Sequence, residues 1–139
     1  FGPVTECGFI TNDDNGFVIG YSPDGIVGDD GLIECKSRRQ RFQVETISAD
    51  QVPAEYMLQL QTGLLVTGRQ WIDFVSYCGG MPMYVKRVFP DAAIQGAILD
   101  AARSFEARIA VRLEEYRETL ARQPVLIETE RTNEEEITA

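Results

Sequence analysis

The sequence contains no histidine. That removes every arrangement in which imidazole serves as base or ligand: a Ser-His-Asp triad, a Cys-His pair, a histidine-metal nuclease and a zinc deaminase are excluded for this chain alone. Cysteine is scarce as well, with only Cys7, Cys35 and Cys78. The number is odd, the spacing is wide and no Cys-x-x-Cys pair occurs, so neither a disulfide framework nor a zinc site is expected. Buried free thiols in a reducing cytoplasm are the expectation instead. No apolar run approaches the roughly 18–20 residues that cross a membrane, and no signal peptide opens the chain. A Gly-x4-Gly-Lys-Ser/Thr sequence is missing, which leaves ATP hydrolysis without support. At 139 residues and 44% apolar content, what remains is a single soluble domain with one substantial core.

Against these absences stands one dense feature. Ser22-Pro-Asp-Gly25 is followed, nine residues after its aspartate, by Glu34-Cys35-Lys36. Residues 32–36 read as a short strand, and strand side chains alternate between faces. Glu34 and Lys36 therefore share one face, while Ile33 and Cys35 point to the other and toward the core. Asp24 sits where a probable-strand pattern, residues 17–21, runs into a Pro-Asp-Gly turn, and Asp29-Asp30-Gly31 marks a second turn. Two strands joined this way bring Asp24 against Glu34. Hard oxygen ligands suit Mg²⁺ or Mn²⁺, which keep several waters, and the backbone carbonyl of Cys35 is a further ligand of the right kind. Such an ion activates water and offsets charge on a phosphodiester, with Lys36 placed to orient the water or bind a phosphate oxygen. The plainer reading is that Asp-Gly is an ordinary turn pair and Glu-x-Lys a solvated strand pattern.

The surrounding layout is mixed α and β. Residues 5–11 and 16–22 read as a hairpin around Asn12-Asp13-Asp14-Asn15-Gly16. That segment resembles a calcium loop but lacks its alternating ligands and terminal glutamate. Residues 31–37 form the central strand, and 38–50 an irregular or partly helical connection. A helix begins near Pro53 and stops before Gly68. Within it Tyr56 and Gln59, three apart, share a face. Gln61 falls in the apolar arc of Met57, Leu60, Leu64 and Leu65, as a buried polar group with a partner or as a second site amide. Residues 71–78 and 83–89 read as strands around Gly79-Gly80, with Trp71 and Phe74 in the core rather than stacked on bases. Asp91 caps a helix running to about Arg122. Its stripe of Ile94, Ile98, Phe105, Ile109, Leu113, Tyr116 and Leu120 reads as core or helix-packing surface, with a subunit contact as the other option.

Four blocks carry a family likeness: Gly20-Tyr-Ser-Pro-Asp-Gly-Ile-Val, Gly31-Leu-Ile-Glu-Cys-Lys, Ala54-Glu-Tyr-Met-Leu-Gln-Leu-Gln, and Val66-Thr-Gly-Arg-Gln-Trp-Ile-Asp-Phe-Val-Ser-Tyr. In this order, over about residues 5–121, they resemble the phage lambda exonuclease and viral recombinase family, part of the restriction-endonuclease-like PD-(D/E)XK nuclease superfamily. The resemblance implies an α+β (α/β) fold with a mixed central β-sheet flanked by helices and a long C-terminal helix. It makes Asp24 and Glu34 metal ligands, Lys36 the catalytic lysine and Ser22 a phosphate contact. Tyr56 and Gln59 would line the active site, with Gln61 ranked below them. Its implied activity is Mg²⁺-dependent (or Mn²⁺-dependent) trimming of double-stranded DNA ends, 5′ to 3′, in a phage or prophage setting in the bacterial cytoplasm. A homotrimer and a single-strand annealing protein are the implied partners. Relatives carry an earlier helix with a glutamate that completes the metal site. This chain begins at Phe1, so it is read as a piece of a longer protein rather than a minimal variant, and full activity is expected to need that segment.

Charge bears on this reading. The net charge is -9, yet residues 128–139 hold five glutamates against one arginine, so residues 1–122 are read as the nuclease core and 123–139 as an acidic, disordered tail. Lys36, Arg38, Arg39 and Arg41 cluster behind the proposed catalytic strand, with Lys86-Arg87 on another, and as a group they suit phosphate contact. A solvated loop is the competing reading for any one of them. Two other functions use the same residues: a restriction-like or repair endonuclease, which would cut closed circles, and a non-catalytic DNA-end-binding or assembly subunit, which would bind without cleaving.

Overall fold

The computed structural model describes residues 2–122, 125–127 and 129. In chain order the elements are β1 (Val4–Thr5), β2 (Ile10–Asn12), β3 (Ile19–Tyr21), β4 (Gly25–Val27), β5 (Gly31–Ser37), α1 (Gln40–Ala49), α2 (Ala54–Thr67), β6 (Trp71–Tyr77), β7 (Tyr84–Val88) and α3 (Ala92–Arg122). Five strands form one sheet in the order β1-β4-β5-β6-β7, and β2 pairs with β3 in a second. Only β5 and β6 run parallel; every other pair is antiparallel. A parallel pair needs a crossover, and α1 and α2 are that crossover. This is the expected mixed α and β architecture with flanking helices and a long last helix. The chain divides into two compact units, Phe1–Ser104 and Phe105–Ala139.

Strand alternation decides what each face of the large sheet does. Leu32, Glu34 and Lys36 of β5 lie opposite Ile72, Phe74 and Ser76 of β6. On that face Leu32, Ile72 and Phe74 join Leu60 and Leu64 of α2 and Tyr21 of β3 in the larger core cluster. On the reverse face Ile33 and Val75 pack with Val27, and half-buried Cys35 and Trp71 lie against them. Glu34 therefore shares a face with the main core, and Ile33 and Cys35 face the smaller cluster. Ile33 and Cys35 face a core cluster as expected, but it is the smaller one, and Glu34 lies beside the larger. Both faces of β5 are covered, so its run from Gly31 to Glu34 is buried throughout.

Caps explain where the helices stop. Gly68 takes φ 65° after α2 and donates to Leu64 O, a left-handed end that glycine adopts without strain. Asp91 Oδ1 accepts from Ala93 N at 2.9 Å and Ile94 N at 3.1 Å, the side-chain cap expected for α3. Of the two readings for residues 38–50 the partly helical one holds, with α1 a regular helix across ten of them. Its inward residues are Gln43 and Thr46, so the sequence has no apolar period to show. Gln43 is held by Ser76 O, Pro82 O and the Ser76 hydroxyl. Asp50 ends α1 and accepts from Tyr84 OH and Lys86 Nζ of β7. That contact holds the Asp50 carboxyl below its usual range, through Lys86 first and Tyr84 second.

Other expectations change in detail. The first hairpin is shorter than residues 5–11 and 16–22: only Ile10–Asn12 pairs with Ile19–Tyr21, while Val4–Thr5 adds to the large sheet through β4, a three-residue strand too short to leave a pattern. The turn at residues 12–16 is confirmed, with Asn12 Oδ1 accepting from Asp14 N. All three thiols are free but half-buried rather than buried. The α3 stripe is not core: Ile94 and Ile98 are half-buried, and Phe105, Ile109, Leu113, Tyr116 and Leu120 are exposed. Among the described residues no helix is long and apolar enough to cross a membrane. The acidic tail falls almost wholly outside the described residues.

One glycine links packing to the rest. A Cβ on Gly63 of α2 would stand 2.6 Å from the Tyr21 ring, and that ring is buried in the main core. Gly63→Ala is expected to destabilise the fold by about 1–3 kcal/mol, the range for overpacking a core. Thermal unfolding followed by circular dichroism checks this; an unchanged midpoint would show that the ring yields freely.

Candidate active site

Glu34 is the centre of the site. It is 2% exposed, and a carboxylate this deep needs donors on both oxygens. Three arrive from three elements. Tyr21 OH donates to Oε2 at 2.5 Å, Lys36 Nζ to Oε1 at 2.5 Å, and Gln59 Nε2 to Oε1 at 2.7 Å. Burial first, then the hydrogen bond to Glu34 and the charges of Glu34 and Asp24, drive the Tyr21 hydroxyl far above its ordinary value, so it remains a donor. Tyr21 was quoted in the sequence pattern without a role. Its position three residues before Asp24, at the end of an apolar strand, was the available signal.

Asp24 reaches the same place from the other side. The register of β4 on β5 ends at Gly25 opposite Ile33, which leaves the β5 edge open from Glu34 onward. Asp24 Oδ2 fills the gap by accepting from Cys35 N at 2.6 Å. In a strand the N–H and C=O of one residue project toward the same edge, so the Cys35 carbonyl also faces the side where Asp24 lies. The Cys35 thiol points away, into the second cluster; burial, then the Asp24 and Glu34 charges, raise it above the ordinary thiol range. It lies on the opposite face of β5 from the Glu34 carboxylate. Among the described residues no three acidic or cysteine side chains meet at one point. The hard-oxygen set is therefore two carboxylates and one carbonyl, a fit for a small divalent ion that retains waters.

Tyr56 and Gln59 do share one face of α2, as their spacing implied. Tyr56 stacks on Phe74 with centroids 5.4 Å apart, and Lys36 Nζ lies 5.4 Å from its ring centroid. Gln61 is not part of this group. Its Nε2 donates to Phe89 O at 2.8 Å and its Oε1 accepts from Asp91 N at 2.8 Å, so it is the buried polar group with partners, tying α2 to the start of α3. Ser22 is exposed beside Asp24.

The basic cluster separates on inspection. Arg38 is largely buried, with Nη1 donating to Tyr56 OH and Glu55. Arg41 pairs with Glu45 on the exposed side of α1, and Arg39 is exposed. Lys86 is bound to Asp50. Arg87 makes a two-pronged contact with Asp73 on the reverse face and lies 3.5 Å from the Trp71 ring centroid; the Asp73 contact raises its pKa. Of the basic residues expected as a phosphate-contact group, Lys36, Arg38, Arg41, Lys86 and Arg87 each have a carboxylate partner, and Arg39 is exposed.

Comparison with known proteins bears on the fold and the family likeness. Residues 3–70 match the YqaJ-like viral recombinase domain. An alkaline exonuclease from Laribacter hongkongensis, LHK-Exo, is 36% identical, with a TM-score of 0.79 over 86% of this chain and 63% of that one. Its complex with dAMP aligns over the same shares at a TM-score of 0.77. This chain therefore spans somewhat less than two thirds of the length of that exonuclease. No curated protein matches the sequence. With 36% identity across most of its length to an exonuclease of the restriction-endonuclease-like fold, and with a domain match over residues 3–70, the chain is similar to YqaJ-like viral recombinases and to nucleases of lambda-exonuclease type.

Proposed function

We propose that this chain carries the hydrolytic centre of a metal-dependent DNA exonuclease that acts on ends of duplex DNA in the 5′ to 3′ direction, for recombination. The observation behind this reading is Glu34, buried and gripped by Tyr21, Lys36 and Gln59, with Asp24 bound one residue further along the same strand. Asp24, Glu34 and the Cys35 carbonyl are the residues to hold Mg²⁺ or Mn²⁺. When bound, such an ion supplies an activated water and offsets charge at the phosphate.

The side chains of this protein then have distinct tasks. Hydrolysis adds a water oxygen to phosphorus and breaks the bond to the leaving ribose oxygen, which takes a proton. Negative charge grows on the phosphate oxygens as this happens. Lys36, whose ammonium donates to Glu34 Oε1, is the cation on this face that would donate to a phosphate oxygen. Gln59 donates its amide nitrogen to Glu34 and offers its carbonyl oxygen to the attacking water. Ser22, exposed next to Asp24, is placed for a phosphate oxygen. Polarity, the trimer and the single-strand annealing partner rest on the family likeness, and the similar Laribacter exonuclease, with its dAMP complex, supports exonuclease activity on deoxynucleotides.

End-labelled linear duplex separates the alternatives. In Mg²⁺ or Mn²⁺, the 5′ label is expected to leave first, and Lys36→Ala to slow its release by at least about 100-fold, as removal of a transition-state donor does. Cleavage of closed circles would favour the endonuclease reading. DNA binding unchanged in Asp24→Asn, with no cleavage under either ion, would favour the end-binding subunit.

Tyr21→Phe tests the support beneath Glu34. Loss of a donor to a buried carboxylate is expected to cost about 1.5–3 kcal/mol of stability and to raise the Mg²⁺ concentration needed for half-maximal rate. A melting shift with an unchanged Mg²⁺ requirement would make Tyr21 a packing residue only.

A further inference from the structure

Helix α3 carries an apolar stripe that no step of the proposed hydrolysis uses. Phe105, Ile109, Leu113, Tyr116 and Leu120 follow one another at steps of four, four, three and four residues. Phe105 and Tyr116, like Ile109 and Leu120, thus stand eleven apart, a period that completes about three turns and keeps the stripe straight along one side. All five side chains are exposed, and no residue of α3 is buried. They belong to the second unit, Phe105–Ala139, in which α3 is the one regular element among the described residues. A helix of this length is marginal in water unless its apolar face packs on something, and a continuous exposed apolar patch marks an interaction surface.

The charges beside the stripe identify what fits it. At 100° per residue, Glu106 and Arg117 lie about 60° and 80° to one side of its centre, and Arg112 about 60° to the other. Among the described residues Glu106 has no ion-pair partner, and Arg117 has only an exposed contact with Glu114 at 3.6 Å. An antiparallel pair of identical helices sets each flank against the same flank of the other copy. Centred between Val111 and Arg112, that arrangement places Glu106 opposite Arg117 of the second copy, twice by symmetry. Ile109 then inserts between Leu113 and Tyr116 of the second copy, and Phe105 between its Tyr116 and Leu120, as knobs into holes. The two Arg112 side chains approach near the axis, each already held by Glu115 of its own helix at 2.7 Å. A parallel pair in register sets opposite flanks together and brings Arg112 against Arg117, like charge on like charge.

We propose that the α3 stripe binds the same stripe of a second copy of this chain, the two helices antiparallel about a two-fold axis between Val111 and Arg112. The contact is self-complementary in shape and in charge, as a two-fold interface must be. Its seam runs about 24 Å at 1.5 Å rise per residue, which makes the association modest and reversible.

The test is sedimentation velocity of the full chain over a concentration series. Twice the chain mass of 15.6 kDa is expected at the upper end. Ile109→Glu should raise the dissociation constant at least about 100-fold, because it puts unpaired charge in the seam. Glu106→Arg and Arg117→Glu should each weaken association about tenfold, since each sets like charges opposite one another at two places. Mixed in equal amounts, these two variants should pair as tightly as the unaltered chain, because every Glu then meets an Arg. A single-chain mass at every concentration, the result if some other segment or protein covers the stripe, overturns the pairing, and so does an assembly with an odd number of chains. A dimer that persists in Ile109→Glu uses another surface and overturns it as well. Single reversals as tight as the unaltered chain, or a mixture no tighter than its components, overturn the antiparallel two-fold.

Discussion

A buried carboxylate has to be answered on both oxygens, and at Glu34 that requirement organises the first unit of the chain. An uncompensated charge at this depth would cost several kcal/mol, on the order of what holds a small domain together. The compensation comes from β3 through Tyr21, from β5 itself through Lys36, and from α2 through Gln59. None of these donors is close enough in sequence to act without tertiary structure except Lys36. Assembly of the site and assembly of the core are consequently one event: Tyr21 supplies a hydroxyl to Glu34 and a ring to the cluster of Leu32, Leu60 and Phe74. The small side of α2 at Gly63 lets that ring approach.

The two faces of the sheet divide labour accordingly. The face with Glu34 receives both helices, α2 through its leucines and α1 through the Gln43 to Ser76 exchange. The reverse face is closed by Trp71 and by the Asp73 to Arg87 pair. Chemistry is confined to one face by the alternation of β5, and Asp24 gains access only because β4 stops two residues early on the neighbouring edge. A longer β4 would pair with Cys35 N and leave Asp24 without its anchor. The short strand that sequence patterning did not show is therefore the feature that opens the site.

What was legible follows from range and period. Asp24, Glu34 and Lys36 could be placed from strand alternation and turn chemistry, and Tyr56 with Gln59 from helical spacing; all of these are local rules. Helix α1 was hidden because its inward residues, Gln43 and Thr46, are polar, and an amphipathic period cannot be read from a polar face. The fates of Arg38, Lys86 and Arg87 were hidden because their partners lie 14 to 36 residues away. For Gln61 the two alternatives differed only in which distant backbone atoms stood nearby. On α3 the apolar stripe was plain, but periodicity states only that a face is apolar and not what covers it.

These pairings bear on the proposed contact with DNA. An acidic protein with a basic cleft would draw the duplex in by its phosphates, with affinity falling steeply in salt. Here Arg38, Lys86 and Arg87 are committed to Glu55, Asp50 and Asp73, and Arg41 has Glu45 beside it. Few unengaged cations remain to follow the backbone. Contacts confined to the end of a strand, as the proposed exonuclease activity would require, need few of them. The net charge that looked unsuited to a DNA enzyme is then compatible with the proposed action at DNA ends, which needs contact with few phosphates.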